Sequence, residues 1–198
     1  AELFAAFRAG DVVELIVLIV VAALFVAALG LVVYCYFHIF HSPKRKPLKE
    51  GEYAIPEGEI YEVFRDQMED WVRLSRTLPQ EDVQITSFDG LTLRGKYYEY
   101  SPDSTIEIMM PGYRGIAQRD LCGGVQRCFD LGHSILLVDQ RCSAQSEGHV
   151  ITFGIHEAKD CRSWVDFMIR YFGEDVRIIL TGVSMGAATV MRAAGSPL

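Results

Sequence analysis

From Leu15 to Tyr34 the chain runs without a charged side chain, and its apolar character continues to Phe40. A helix of about 20 such residues matches the roughly 30 Å hydrocarbon core of a bilayer. Each Leu, Ile, Val or Phe favours insertion by about 0.3 to 0.6 kcal/mol, so the sum is on the order of several kcal/mol. A core helix of a soluble protein would show a polar face, and none is visible. A cleaved signal peptide is the stronger rival. Against it stand the length of the run, the lack of a basic flank before it (Glu2, Arg8 and Asp11 precede it) and the lack of a small-residue cleavage site. The expectation is a single-pass anchor over residues 12–40, with the lipid bilayer as its partner. Lys44, Arg45, Lys46 and Lys49 follow it, which by the positive-inside tendency places the remainder on the cytoplasmic side. Cys35, at the membrane edge, is expected as a lipid-facing thiol rather than an acylation site.

Around this anchor the organisation is simple: a flank over 1–11, a linker over 41–58 rich in Pro, Lys, Glu and Gly, and one domain of ordinary size over 59–198. The net charge of −7 excludes a nucleic-acid binder, which needs a basic face for phosphates. Five cysteines with no C-x-x-C pair suit neither a zinc site nor a disulfide framework, so reduced, buried thiols are expected. No spacing suggests a metal or a cofactor. The chain opens on Ala1 and stops at Leu198, just after Gly195-Ser196-Pro197, and both ends are expected to be edges of a fragment.

In the domain, Ile60, Phe64, Met68, Trp71 and Leu74 recur near helical spacing, predicting a helix over Glu59–Thr77 docked through Trp71. Val83–Thr86 and Leu91–Arg94 alternate in period two around Asp89-Gly90, which predicts a hairpin. Tyr97, Tyr98 and Tyr100 read as strand packing rather than a ligand platform. Then strands and helices alternate: strand Thr105–Met110, helix Arg119–Leu131 despite Gly123-Gly124, buried strand Ser134–Asp139, helix Glu157–Phe172, buried strand Val176–Leu180, and a helix from Ala187 to Ala194. Cys161, Trp164, Val165 and Met168 form the apolar stripe of the longer helix. The fold class is therefore α/β: a transmembrane helix, then a hairpin, then a mostly parallel sheet with helices on both faces.

The chemistry concentrates in Thr181-Gly182-Val183-Ser184-Met185-Gly186-Ala187. G-x-S-x-G alone is weak, arising by chance about once in fifteen chains of this length. Its placement is what makes it specific, because it ends a buried strand and opens a helix. Such a turn forces the serine into a strained conformation with Oγ above the sheet, and side chains at Gly182 or Gly186 would collide with the turn. The helix behind it aims its N-terminal N–H groups and positive dipole end at the reacting centre. A hydrolytic serine also needs backbone donors for the tetrahedral oxyanion, worth roughly 3 to 4 kcal/mol each. The Met185 N–H is one candidate. The Tyr113 N–H, in the glycine-rich loop Met110-Pro111-Gly112-Tyr113-Arg114-Gly115, is the other.

Taken in order, the hairpin, Gly112-Tyr113-Arg114-Gly115, Asp139-Gln140-Arg141, Ser146-x-Gly148 and Gly182-Val183-Ser184-Met185-Gly186 resemble the α/β-hydrolase superfamily over about Val83 to Leu198. Within it the chain is most similar to bacterial membrane-anchored hydrolases of the esterase and serine-aminopeptidase-like group. The resemblance implies Ser184 as nucleophile, Tyr113 and Met185 as oxyanion donors, and structural roles beside the site for Gly112, Asp139 and Arg141. It departs at Pro111, where relatives carry His, and at Cys142-Ser143-Ala144, where relatives often carry His-Gly.

The superfamily order is Ser, then Asp or Glu, then His. Here His38, His41, His133, His149 and His156 all precede Ser184, and His156 reads as a surface residue at the start of its helix. The acid and the base are accordingly expected beyond Leu198, and the 198-residue chain alone is expected to be nearly inactive. The function implied is a serine hydrolase cleaving a small carboxylic ester through an acyl-serine intermediate. The alternatives are a peptidase or amidase of the same fold, or a membrane-tethered module that keeps the fold without the activity. Substrate identity and oligomeric state are not legible.

Overall fold

The computed structural model describes residues 9–43 and 53–195. Lys44, Arg45, Lys46 and Lys49, half of the expected linker, and the Ser196-Pro197 stop lie outside the described residues. The chain divides into two units, Ala1–His41 and Ser42–Leu198.

The first unit is helix α1 (Ala9–Cys35), continued by one π-helical turn over Tyr36–Phe40. Its 27 residues span about 40 Å at 1.5 Å per residue. None of the apolar stretch Gly10–Phe40 is buried within the chain, and by length and composition it is able to cross a membrane.

The second unit is built on one sheet in the order β1-β2-β4-β3-β5: β1 (Glu81–Thr86), β2 (Thr92–Tyr98), β3 (Ile106–Met110), β4 (Ser134–Asp139) and β5 (Ile178–Gly182). The hairpin forms as expected, with Ile85 opposite Leu93 and Thr86 opposite Thr92, and its turn at Asp89-Gly90 is tied by Ser87 Oγ. It joins the main sheet, since β2 lies antiparallel on β4 while β4, β3 and β5 are mutually parallel. The sheet is thus mixed, with antiparallel pairing confined to one half. Gly95 permits this junction, because a Cβ there would lie 2.9 Å from the Leu137 carbonyl oxygen.

β3 and β4 are inner strands buried on both faces, which explains runs such as Ile135-Leu136-Leu137-Val138. β5 differs from the expected buried strand. It starts two residues later, is only partly covered, and leaves Ile179 41% exposed. Among the described strands it pairs with β3 alone, so one side lacks a neighbour.

Helices α2 (Glu59–Glu62) and α3 (Arg65–Thr77) replace the single expected helix, with the break at Val63-Phe64. The buried face of α3 is Met68, Val72 and Ser75, so Met68 of the expected stripe is inward while Ile60, Phe64 and Leu74 point to solvent. Trp71, half-buried, does dock the helix. Its ring lies against Gly123, where a Cβ would meet it at 2.9 Å, and its carbonyl accepts from Gln126 Nε2 at 2.9 Å. Part of the expected linker belongs to the same cluster, for Ala54 and Ile55 are buried.

The helix expected over Arg119–Leu131 is likewise two, α4 (Ala117–Asp120) and α5 (Gly124–Asp130). The glycine pair makes a continuous helix costly, and close packing on Trp71 fixes the break. On the other face, α6 (Ile155–Phe172) buries Cys161, Trp164 and Met168 as expected, and α7 (Met185–Ala194) follows β5. Tyr97 and Tyr98 are packing residues, whereas Tyr100 is exposed.

All five cysteines are free. Burial pushes the Cys128 and Cys161 thiols up to about 12 and Cys142 up to about 11, as befits inert core residues. Within β3, Glu107 is buried and receives Thr181 Oγ1 at 2.5 Å and Arg127 Nη1 at 2.6 Å, with His133 Nδ1 at 3.4 Å. Burial alone would raise its pKa, but these donors outweigh it and hold the carboxyl below its usual range.

Candidate active site

Ser184 sits between β5 and α7 with φ 54° and ψ −116°, a conformation that a residue with a Cβ rarely adopts. It is exposed, at the N-terminus of α7. The flanking glycines are required by space. A Cβ at Gly182 would lie 2.6 Å from the Ala187 nitrogen, and one at Gly186 would lie 2.6 Å from the Pro111 carbonyl oxygen. Sharp turn and close approach therefore go together, since the second glycine lets α7 rest on the end of β3. The Val183 N–H completes the junction by donating to the Met110 carbonyl at 3.1 Å.

The 111–115 loop comes to the same place. A Cβ on Gly112 would lie 3.6 Å from the Ser184 Cβ. The loop is held by its own polar groups: the Gly112 N–H donates to Asp120 Oδ2 at 3.1 Å, and the Gly115 N–H donates to the Gly112 carbonyl at 3.0 Å. In a trans peptide the N–H and C=O point in opposite directions. With the Gly112 carbonyl turned into the loop, the Tyr113 N–H is turned out of it. The Met185 N–H heads α7, where no carbonyl of the helix itself can reach it.

Tyr113 packs on Cys142, Ile151 and Met185, and its ring stacks on Phe153 at 5.3 Å. Among the described residues, the non-glycine ones with positive φ are Arg114, Cys142, Ala144, Phe153 and Ser184. All five lie in the connections that follow β3, β4 and β5, at the carboxyl ends of the parallel strands, where open α/β sheets bind ligands.

Asp139 ends β4, and Arg141 lies in the connection after it. Asp139 accepts from the Ala117 N–H at 3.2 Å, and desolvation pushes its carboxyl up to about 6 in spite of that donor and the Gln145 N–H. Arg141 is buried, paired to Asp160 at 2.6 and 2.7 Å and to Asp89 at 3.0 and 3.1 Å. It thus joins the hairpin turn to α6, and its hydrogen bonds hold Asp89 down at about 2. His156 is half-buried rather than a plain surface residue, with Nδ1 3.3 Å from Arg141 Nη1 and its ring edge-on to Phe88.

The two aspartates titrate in opposite senses, which gives a stability prediction. A carboxyl raised to about 6 binds a proton in the native state that the unfolded chain has already lost. Asp139 therefore contributes most below pH 4, and this is lost as pH rises through 6. Asp89, lowered to about 2, contributes above pH 4, and this is lost as pH falls towards 2. Urea midpoints against pH should show D139N removing a negative slope of up to about 1.4 kcal/mol per pH unit between pH 4 and 6. D89N should remove a positive slope below pH 4 and leave the other window untouched.

Three residues of this region were not singled out from the sequence. Glu157, buried in the first turn of α6, accepts from the N–H groups of Thr152 and Gly154, each at 2.8 Å, and from Thr152 Oγ1 at 2.6 Å. Gln140 and Thr189 bridge the loop and α7. The signal available was a polar residue directly after the buried run of β4, and a hydroxyl on the inward face of an otherwise apolar helix. Among the described residues no group of His, Cys, Asp and Glu could hold a metal ion.

No family model and no curated protein matches the chain. Solved structures do. An esterase of Pyrococcus furiosus, Pf2001, matches with TM-score 0.57 at 20% identity over 78% of this chain and 50% of that one. A second crystal form of it gives 0.55 at 21% identity, over 74% and 52% respectively. DcsB, solved in complex with its substrate analogue, gives 0.53 at 22% identity over 60% of this chain and 42% of that one. The chain spans about half the length of these proteins. Together with the strand order and the strained serine after β5, these likenesses define the chain as having the α/β-hydrolase fold.

Proposed function

We propose that the chain is the nucleophile-bearing part of a membrane-anchored serine hydrolase that cleaves small carboxylic esters. The observation that carries this reading is the left-handed Ser184 beside the 112–115 loop. Ser184 Oγ adds to the ester carbonyl carbon while its proton passes to a general base. The Tyr113 and Met185 N–H groups receive the oxyanion. Collapse expels the alcohol, which takes up that proton, and water then releases the acid from the acyl-serine. Gly182 and Gly186 shape the turn; Gly112, Asp139 and Arg141 hold the surrounding loops.

The described histidines support assigning the base to a segment outside the described residues. His133 is tied to Glu107, and His156 lies beside Arg141. The length and apolarity of α1 support membrane anchoring, with the catalytic unit on the cytoplasmic side by the charge of Lys44, Arg45, Lys46 and Lys49.

A fluorophosphonate probe on the complete gene product in detergent tests the reading. Labelling at Ser184, lost in S184A, accompanied by turnover of short-chain nitrophenyl esters, is the expected result. Labelling without turnover of esters but with turnover of peptide or amide substrates would move the assignment to a peptidase or amidase. A folded protein that neither labels nor turns over any of them is a binding module.

A further inference from the structure

The 111–112 peptide and the first turn of α7 are joined through a residue of a third element. Gln140, directly after β4 and 4% exposed, donates from Nε2 to the Pro111 carbonyl at 2.5 Å. A carbonyl only accepts, so the amide NH2 must face it, and Oε1 is turned to Thr189. The Thr189 hydroxyl, fully buried, lies 3.3 Å from that oxygen and 3.0 Å from the Met185 carbonyl, and shares its proton between them.

We propose that Gln140 and Thr189 are positioning residues that set the separation of the two oxyanion donors, an inference that rests on the serine-hydrolase reading above. The Pro111–Gly112 amide is pinned at both ends, its carbonyl by Gln140 and its N–H by Asp120. The next amide, which presents the Tyr113 N–H, is held in turn by the Gly115 N–H on the Gly112 carbonyl. On the other side, Thr189 is bound to the residue whose N–H is the second donor. Gly186 closes the arrangement, since any side chain there would collide with the Pro111 carbonyl and hold the loop away from α7. Gln140 prevents movement away. A bridge from β4 thus holds the 112–115 loop and the nucleophile helix at one spacing, the amide supplying a donor for one neighbour and an acceptor for the other.

Misplacing a reacting group by about 1 Å costs on the order of 100-fold in rate. Gln140→Leu in the complete gene product is therefore expected to lower kcat about 30- to 100-fold with KM changed by less than about 3-fold, since the clamp acts on the oxyanion and not on the ground-state ester. Affinity for a trifluoromethyl ketone, which forms a tetrahedral adduct on serine, should fall in parallel with kcat. Thr189→Val, nearly isosteric, should lower kcat about 5- to 10-fold, while Thr189→Ser, which keeps the hydroxyl, should restore it. These two guard against misfolding of the glutamine variant.

Wild-type kcat in both Q140L and T189V would overturn the clamp while leaving the hydrolase reading intact. So would losses in kcat that T189S shares, or that match the folded fraction measured by near-UV circular dichroism. A wild-type protein that is folded yet neither labels at Ser184 nor turns over substrate would overturn the hydrolase reading, and the clamp with it.

Discussion

Replacing Ser184 by glycine is expected to abolish ester hydrolysis and, in the same protein, to raise the melting temperature. Loss of the proposed nucleophile should lower kcat by at least about 10⁴-fold. The gain arises because Ser184 is held at φ 54° and ψ −116°, outside the regions open to a side chain. Such a residue costs about 1 to 3 kcal/mol, and glycine removes most of that strain. For a unit of this size, about 1 kcal/mol corresponds to roughly 2 to 4 °C. Ser184→Ala is the decisive comparison. It should be equally inactive but no more stable than wild type, because it keeps the Cβ. Calorimetry on the three proteins checks both halves. Equal melting temperatures for S184A and S184G would show that the turn stores no strain at this position.

The largest stability effect is expected at Arg141. Substitution by leucine leaves the Asp160 carboxylate, 4% exposed, without its bidentate partner and frees the hairpin turn at Asp89. Breaking one side of a buried ion pair costs about 3 to 5 kcal/mol. The lost contact over the Phe88 ring, 5.2 Å from the guanidinium, adds to this. The double variant R141L/D160L removes both charges together and should recover at least half of the loss, because what destabilises the single variant is the orphaned carboxylate. Urea unfolding followed by fluorescence gives both numbers. A loss below about 1 kcal/mol in R141L would mean that Asp160 is reached by water and that the pair is worth no more than a surface bridge.

The elements legible in the sequence were those whose pattern reports their own burial. The run Ile135-Leu136-Leu137-Val138 could only be an inner strand, the alternation around Asp89-Gly90 could only be a hairpin, and Cys161, Trp164 and Met168 share a helical face that the sheet covers. Where periodicity misled, a neighbour had decided the outcome. Of the stripe Ile60, Phe64, Met68, Trp71 and Leu74, Met68 and Trp71 do turn inward, yet the chain breaks at Val63-Phe64 and α3 buries Val72 and Ser75 while Ile60, Phe64 and Leu74 stay exposed. Gly123-Gly124 was read as tolerated within a helix. The ring of Trp71, some fifty positions earlier in the chain, needs the space that the glycine leaves.

The turn around Ser184 was legible because its demand is local: two glycines, one serine, a strand before and a helix after. The bridge from Gln140 to Thr189 was not, because it joins residues 49 positions apart through side chains that also occur in ordinary loops and helices. Likewise, nothing in the spelling of Asp120 announces that it holds the Gly112 N–H.

The five left-handed residues at the carboxyl rim bear on how such a chain can vary over time. At Arg114, Cys142, Ala144, Phe153 and Ser184 the positive φ favours glycine over any residue with a Cβ. Valine, isoleucine and threonine are shut out whatever their size or polarity. Neutral drift at that rim is therefore lopsided, with a narrow alphabet in the very loops where new specificities would otherwise arise most readily. Descendants of this chain should diversify beside those five positions rather than at them.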